Sequence, residues 1–338
     1  MIKINFFTFF LGALMILGVG SCSHDTAPEM PNLVDRFGPF RAISDLTASQ
    51  PTADFAAGET ISFNATFNKN VAWVLEITGS ESGSVKIIEG FSSELNASNS
   101  TWDGGTSELP LFKAEMANVV LTVPEETAFI ATTTVETLSN KQYEGLLFTD
   151  FEQDLGVDAF VGNFEFEFTP QTGRQTDFPA EGDFYYRLEG TDDVVPNFFV
   201  GLIDLKSEIT GSGVLQFPTT VPEDLFFNFF IFSDAGPHGI AIVDFFIDDN
   251  DTGTYELDQD NTTFRRLEGG DIDLATFEGW QQVSYPMSET GISQEELGKV
   301  VAIRLLMISN MNAQPTPPIQ VGFGIDYMIF TEGGPLEL

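Results

Sequence analysis

Two histidines, one cysteine and 51 acidic residues bound the chemistry open to this 338-residue chain. His24 stands in an irregular N-terminal stretch, so a Ser-His-Asp relay would have to use His238 in "SDAGPHGI", and no Gly-x-Ser-x-Gly turn presents a serine nucleophile. One histidine and no second cysteine also fall short of the usual zinc ligand sets. Paired carboxylates remain, since a glycosidase needs only two acids across the scissile bond. Glu165 and Glu167 in "FEFEF" alternate with phenylalanine, which is the pattern of a half-solvated antiparallel strand. No acid is lodged among Trp and Tyr at a strand end, where burial would raise its pKa for general-acid work. The sharpest local feature is "DDNDTGTYELDQDN", which starts at Asp248. Asp248, Asp249, Asn250 and Asp251 offer oxygen ligands to a hard cation such as calcium, but Gln259 at the twelfth position breaks the EF-hand pattern. A plain acidic turn is the competing explanation, because Asp and Asn favour turns. The last chemistry is recognition, in which aromatic rings lie on the apolar face of a sugar and polar groups bind its hydroxyls. Trp280, Tyr185, Tyr186 and Tyr285 are the candidate rings, with Arg187, Asn228, His238 and Gln281 as hydrogen-bonding partners. Packing competes for each of them, and Tyr185 and Tyr186 point to opposite faces of a strand.

The elements that must position these residues are strands. In "ETISFNATF" the residues Ile61, Phe63, Ala65 and Phe67 share one face, and in "VAWVLEITG" so do Val71, Trp73, Leu75 and Ile77. "GSVKIIEG" and "ANVVLTVP" continue the alternation, and "ATTTVETLSNKQYEG" reads as a final edge strand and a linker. From residue 146 the strands are longer and more aromatic. In "LFFNFFIF" Leu225, Phe227, Phe229 and Ile231 lie on one face and Phe226, Phe230 and Phe232 on the other, which predicts a strand covered on both sides. Arg265 and Arg266 alternate in the same way and are set for ordinary ion pairs. The single helix signal is the capping box "SQEE", Ser293 to Glu296, stopped by Gly298. The expectation is an all-β chain, with a β-sandwich over 51–142 followed by a larger jelly-roll sandwich over 146–335.

Ahead of both lies "MIKINFFTFFLGALMILGVGSCSHDTAPEM". Lys3, an apolar run from Phe6 to Val19 and small residues before Cys22 have the layout of a secretory signal over 1–21, and the run is shorter than the ~20 residues a spanning helix needs. Residues 22–50, with Pro28, Pro31, Pro39 and no periodicity, read as a flexible tether. Removal of 1–21 takes away Lys3 alone, so 13 basic residues face 51 acidic ones and the mature charge is −38. Such a surface repels phosphate backbones and anionic head groups, which argues against nucleic-acid binding and for an uncharged ligand.

Four resemblances add to this. Val19-Gly20-Ser21-Cys22 resembles the lipobox of bacterial lipoproteins, which implies lipidation of Cys22 and attachment to the membrane through the lipid alone. The pattern over about 50–140, with its early-strand tryptophan and "STWDGGT", resembles immunoglobulin-like or PKD-like modules. "FTDFEQ", "GWQQVSYPMS" and "GIDYMIFTEGGPL" resemble galactose-binding-like jelly rolls of carbohydrate-binding modules. Those jelly rolls often carry a structural calcium, which by position implies Glu152 and Asp326 here. The order of anchor, tether, spacer and aromatic jelly roll is similar to that of surface glycan-binding lipoproteins of Bacteroidota. That resemblance implies a non-catalytic outer-membrane protein that holds a neutral polysaccharide, such as a β-glucan, for a glycan importer. A jelly-roll glycoside hydrolase or lyase, and a calcium-binding adhesive surface protein, are the alternatives.

Overall fold

The computed structural model describes residues 38–338 except 164–167, 193–198, 212, 235–238, 261, 268–271 and 310–318. Cys22, Glu165, Glu167 and His238 therefore lie outside the described residues. The chain is all-β, and no helix among the described residues is long and apolar enough to cross a membrane.

The first seven strands are β1 (Ala42–Ala48), β2 (Thr52–Asp54), β3 (Ile61–Gly79), β4 (Val85–Leu95), β5 (Thr101–Trp102), β6 (Met116–Thr122) and β7 (Ile130–Ser139). They follow the order β1-β3-β6-β7-β2, with β4 and β5 also paired to the long β3. The residues that alternate along β3 from Ile61 to Ile77 are the buried ones, as period two requires. Trp102 is fully buried edge-on between Phe55 and Phe112, 4.7 Å from each ring.

Two expectations need correcting here. Part of the expected tether is a strand, because Ala42–Ala48 pairs with β3, buries Leu46, and is preceded by Phe40 packed on Phe67 and Phe129. A strand that buries one residue has no periodicity to read. The expected edge strand β7 lies between β6 and a parallel β2, whose three residues are too few to announce themselves.

The second unit contains β8 (Leu146–Thr149), β9 (Ala159–Asn163), β10 (Gly173–Gln175), β11 (Tyr185–Asp192), β12 (Phe199–Lys206), β13 (Leu225–Asp234) and β14 (Gly239–Ile247). It continues with the short helix α1 (Leu257–Asp260), β15 (Phe264–Arg266), β16 (Ile272–Asp273), β17 (Glu278–Pro286), α2 (Gln294–Leu297), β18 (Val300–Ser309) and β19 (Ile319–Glu332). Two six-stranded sheets face each other. The β13 sheet runs β10-β11-β19-β13-β17 with β8 on β19, and the β18 sheet runs β15-β14-β18-β12-β9 with β16 on β14. Between them Phe227, Phe229, Phe245 and Phe330 stack with Ile303, Leu305 and Ile325 in one core. As "LFFNFFIF" predicts, β13 is covered on both sides, with Phe230 entering a second cluster on the outer face. Ser293 and Glu296 form the expected capping box at α2.

That second cluster is where the first unit docks. Leu111 packs with Ala180, Phe230, Tyr327, Ile329 and Leu336. The Leu111 N–H donates to the Ala180 carbonyl at 2.7 Å, the Lys113 ammonium meets the Asp183 carboxylate at 3.0 Å, and Asn140 Nδ2 donates to Glu181 Oε1 at 3.0 Å. The outer face of the β13 sheet is thus taken up by the first unit and the C-terminal segment. The outer face of the β18 sheet is on the opposite side.

Candidate functional site

On β12, β14 and β18 every second residue enters the core: Ile203 and Leu205, Val243 and Phe245, Ile303 and Leu305. The residues between them must therefore face outward, and each strand places a charge there at the same level. Register puts Asp204 opposite Arg304, Arg304 opposite Asp244, and Asp244 opposite Arg266, with Phe160 of β9 beside Asp204. A row of alternating charge crosses four strands, about 14 Å at the usual spacing between strands, and Phe160 extends it to a fifth. Arg304 donates from Nε and Nη2 to the two oxygens of Asp204 at 2.6 and 2.8 Å, and Arg266 does the same to Asp244 at 2.7 and 2.8 Å. The Tyr255 hydroxyl donates to Asp204 Oδ2 at 3.0 Å. Burial and the neighbouring Asp204 carboxylate push the Tyr255 phenol well above its ordinary pKa, so it stays a donor.

Apolar groups flank this row on both sides. Leu202, Ile242 and Leu306 form a buried outward-facing cluster with Ile240 and Ile308. On the other side lie Phe246 and Phe264, with the Arg304 guanidinium 4.6 Å from the Phe246 ring centre and that of Arg266 5.3 Å from Phe264. Asp204 and Asp244 are almost wholly buried. Arg304 and Arg266 are part-exposed, and ion pairs of this kind bring little net stability.

The described residues among the sugar-binding candidates from the sequence sit elsewhere, on or beside the β13 sheet. Tyr185, Arg187, Asn228 and Trp280 share its outer face. The Tyr185 hydroxyl donates to Asp177, its ring is 5.4 Å edge-on from Trp280, and Trp280 Nε1 donates to the Phe178 carbonyl at 2.7 Å. Arg187 is buried between Glu189 and Asp234. Asn228, fully buried, donates to Thr331 Oγ1 at 2.9 Å and accepts from the Leu336 N–H at 2.9 Å. Tyr186 turns into the core beside Phe151, Tyr285 packs against the same core, and Gln281 is exposed on β17. The geometry gives most of these side chains a packing partner, and it brings none of them to the charged row.

The carboxylates considered for calcium are likewise spoken for. Asp326 Oδ2 accepts from the N–H groups of Ala180 and Glu181, both at 2.9 Å, and its Oδ1 from Tyr327. Glu152 Oε1 accepts from Asp183 and Phe184 at 2.7 and 2.9 Å. The chain between these amides turns at Gly182, φ 56°, where any Cβ would come within 2.2 Å of Glu152 Oε1. Asp248 accepts from Asn250, Thr252 and Gly253, Asp249 from the Thr263 hydroxyl, Asn250 donates to Glu256 and Gln259, and Asp251 pairs with Lys299. Among the described residues no group of three or more His, Cys, Asp or Glu has the arrangement of a metal site.

At the seam between the two units a cavity of about 470 Å³ is lined by Glu81, Lys113, Asn140, Asp150, Glu152 and Glu181. Burial, with Asp150 and Glu152 nearby, pushes the Glu181 carboxyl up to about 7 against the pull of its Asn140 hydrogen bond. A carboxyl whose folded pKa is raised stabilises the fold below its unfolded value and loses that contribution as pH rises through the folded one. Stability is therefore expected to fall by on the order of 2 kcal/mol between about pH 4.5 and about pH 7. Urea unfolding across that range checks this, with Glu181→Gln expected to flatten the slope; an equal slope in both proteins would contradict it.

The functional residues that sequence reasoning missed had one signal. Each is a lone charge inside an apolar strand, in "LIDL", "VDFF" and "AIRLL", where a solvated face would carry several.

No protein family and no curated protein sequence matches the chain. Among solved structures it is similar to carbohydrate-binding modules from the β-sandwich superfamily, with 10% identity, a TM-score of 0.39, and coverage of 87% of this chain and 98% of the other. It is similar to the family 11 carbohydrate-binding module from Clostridium thermocellum in complex with a β-1,3-1,4-mixed-linked tetrasaccharide, with 13% identity, a TM-score of 0.35, and coverage of 58% and 100%. It is also similar to SGBP-B from a complex xyloglucan utilization locus in Bacteroides uniformis, with 13% identity, a TM-score of 0.33, and coverage of 85% and 72%.

Proposed function

We propose that this chain is a non-catalytic binding protein for a neutral polysaccharide, and that the outer face of the β18 sheet is its binding face. The observation that carries the reading is the Asp204–Arg304–Asp244–Arg266 row between aliphatic and aromatic flanks. Planar, hydrogen-bonding side chains beside rings suit a pyranose chain, whose edges are hydroxyls and whose faces are apolar. The charges of the row cancel in pairs, so it offers an ionic ligand no net attraction, and the overall charge of −37 repels anionic ones. The same pairing supports binding over hydrolysis, because both oxygens of each carboxylate are already engaged by a guanidinium.

In this reading a lipid on Cys22 fixes the protein to the outer membrane, facing outward, and the first unit lifts the jelly roll toward the glycan that an importer would then take up.

The test is affinity electrophoresis of residues 22–338, carrying Cys22→Ser, through gels containing neutral or acidic polysaccharides, with sugar analysis of the same incubations. Retardation by a neutral glycan without released sugar is expected, and Trp280→Ala should keep it. Released oligosaccharides would make the chain a hydrolase or lyase. Retardation by none of the gels would leave the adhesive alternative.

A further inference from the structure

Taking the charged row as the glycan-binding face, we propose that the acidic turn after β14 is a specificity element: it holds Tyr255 as a wall over one end of the face and confines the ligand to Phe264 and Arg266. The acidic run is tied together by its own hydrogen bonds. Asp248, itself buried, accepts three backbone N–H groups, from Asn250 and Thr252 at 3.2 Å and Gly253 at 2.7 Å, while its own N–H donates to the Lys299 carbonyl at 2.9 Å. Asn250 Nδ2 donates to Glu256 Oε2 and Gln259 Oε1, both at 2.8 Å, and Asp260 Oδ2 accepts the Glu256 N–H at 2.7 Å. Asp251 and Gly253 take left-handed conformations, φ 56° and 74°, that let the chain reverse within this short span.

The reversal delivers Tyr255 onto the sheet. Its ring centre is 5.3 Å from that of Phe246, and its hydroxyl bonds Asp204. Tyr255 is only 7% exposed and packs with Ala302 and Val214, so it covers the Asp204–Arg304 end of the row. The β15 edge is different. Phe264 is 37% exposed and the Arg266 side chain 40%, with the guanidinium beside the ring. A sugar ring laid on Phe264 would have the Arg266–Asp244 pair at its hydroxyl edge. Next along the row it would meet Tyr255.

The test uses the full mature chain and an oligosaccharide ladder, from disaccharide upward, made from whichever of laminarin, mixed-linkage β-glucan or galactomannan retards the wild type. Calorimetric affinity is plotted against chain length. Phe264→Ala and Arg266→Ala are expected to weaken binding about tenfold or more at every length. Tyr255→Leu, which keeps apolar cover but shortens the wall, is expected to move the length at which affinity levels off upward by at least one sugar. Tyr255→Phe should keep the wild-type plateau. Asp248→Asn, a milder loosening of the support, should shift the plateau in the same direction as Tyr255→Leu. A merely structural role would lower the melting temperature of these variants and leave the plateau in place. An unmoved plateau in both Tyr255→Leu and Asp248→Asn, or wild-type affinity in Phe264→Ala, overturns the assignment while the binding function stands. Failure of the wild type to bind any of the three glycans overturns the glycan reading itself.

Discussion

Arg304→Ala is expected to cost the jelly roll about 3–5 kcal/mol, because it strips a buried carboxylate of its charge partner. Asp204 has no exposure, and two of the three donors it accepts from belong to Arg304. The informative companion is the double variant Asp204→Leu with Arg304→Met. Removing both charges also removes the desolvation cost, so its stability is expected within about 1–2 kcal/mol of the wild type. Its gel retardation by glycan should nevertheless be weakened, since Tyr255 loses the carboxylate that holds its hydroxyl and Asp244 loses Arg304 as its neighbour across the strands. Urea unfolding and affinity electrophoresis on the same three proteins separate the two effects. A double variant that is stable and retarded as strongly as the wild type would show that the Asp204–Arg304 pair does not support the binding face.

The second large effect is expected at Asn228. Its amide donates to the carbonyls of Phe226 and Ile329 and to Thr331, and its carbonyl accepts from Ser284 and from the Leu336 N–H. Asn228→Ala leaves several of these buried partners unsatisfied at about 1–3 kcal/mol each, partly relieved by rearrangement, so a loss of about 3–4 kcal/mol is expected. Glycan retardation should be unchanged at a temperature where the variant is folded. Weakened binding in a fully folded Asn228→Ala would instead return this residue to the binding site.

Asn228 also shows what the sequence can and cannot reveal. A polar residue in a phenylalanine-rich strand is visible in one dimension, and so is the double coverage of that strand. Whether the amide faces a ligand or a neighbouring backbone depends on Ser284 and Leu336, which are 56 and 108 residues away. The charged row was hidden for the same reason. Asp204, Arg304 and Asp244 each look like an isolated charge in an apolar strand until register joins residues 100 and 60 positions apart into one line. Local features fared better. The alternation of β3, the opposed Tyr185 and Tyr186 and the α2 capping box all depend on near neighbours in the chain or on simple period two. The strand Ala42–Ala48 escaped because its one buried side chain, Leu46, leaves no pattern.

The docking surface for the first unit has a consequence for synthesis. Asp326, which holds the Ala180 and Glu181 amides, and Tyr327 and Ile329, which pack against Leu111, all belong to β19. A nascent chain emerging from the ribosome or a translocation pore has its first unit complete long before that strand exists. The first unit must therefore fold on its own and wait, with Leu111 uncovered, until the last strand is laid between β11 and β13. Joining of the two units is then the closing event of assembly, and a chain stalled before β19 would leave an open apolar patch for quality-control factors to recognise.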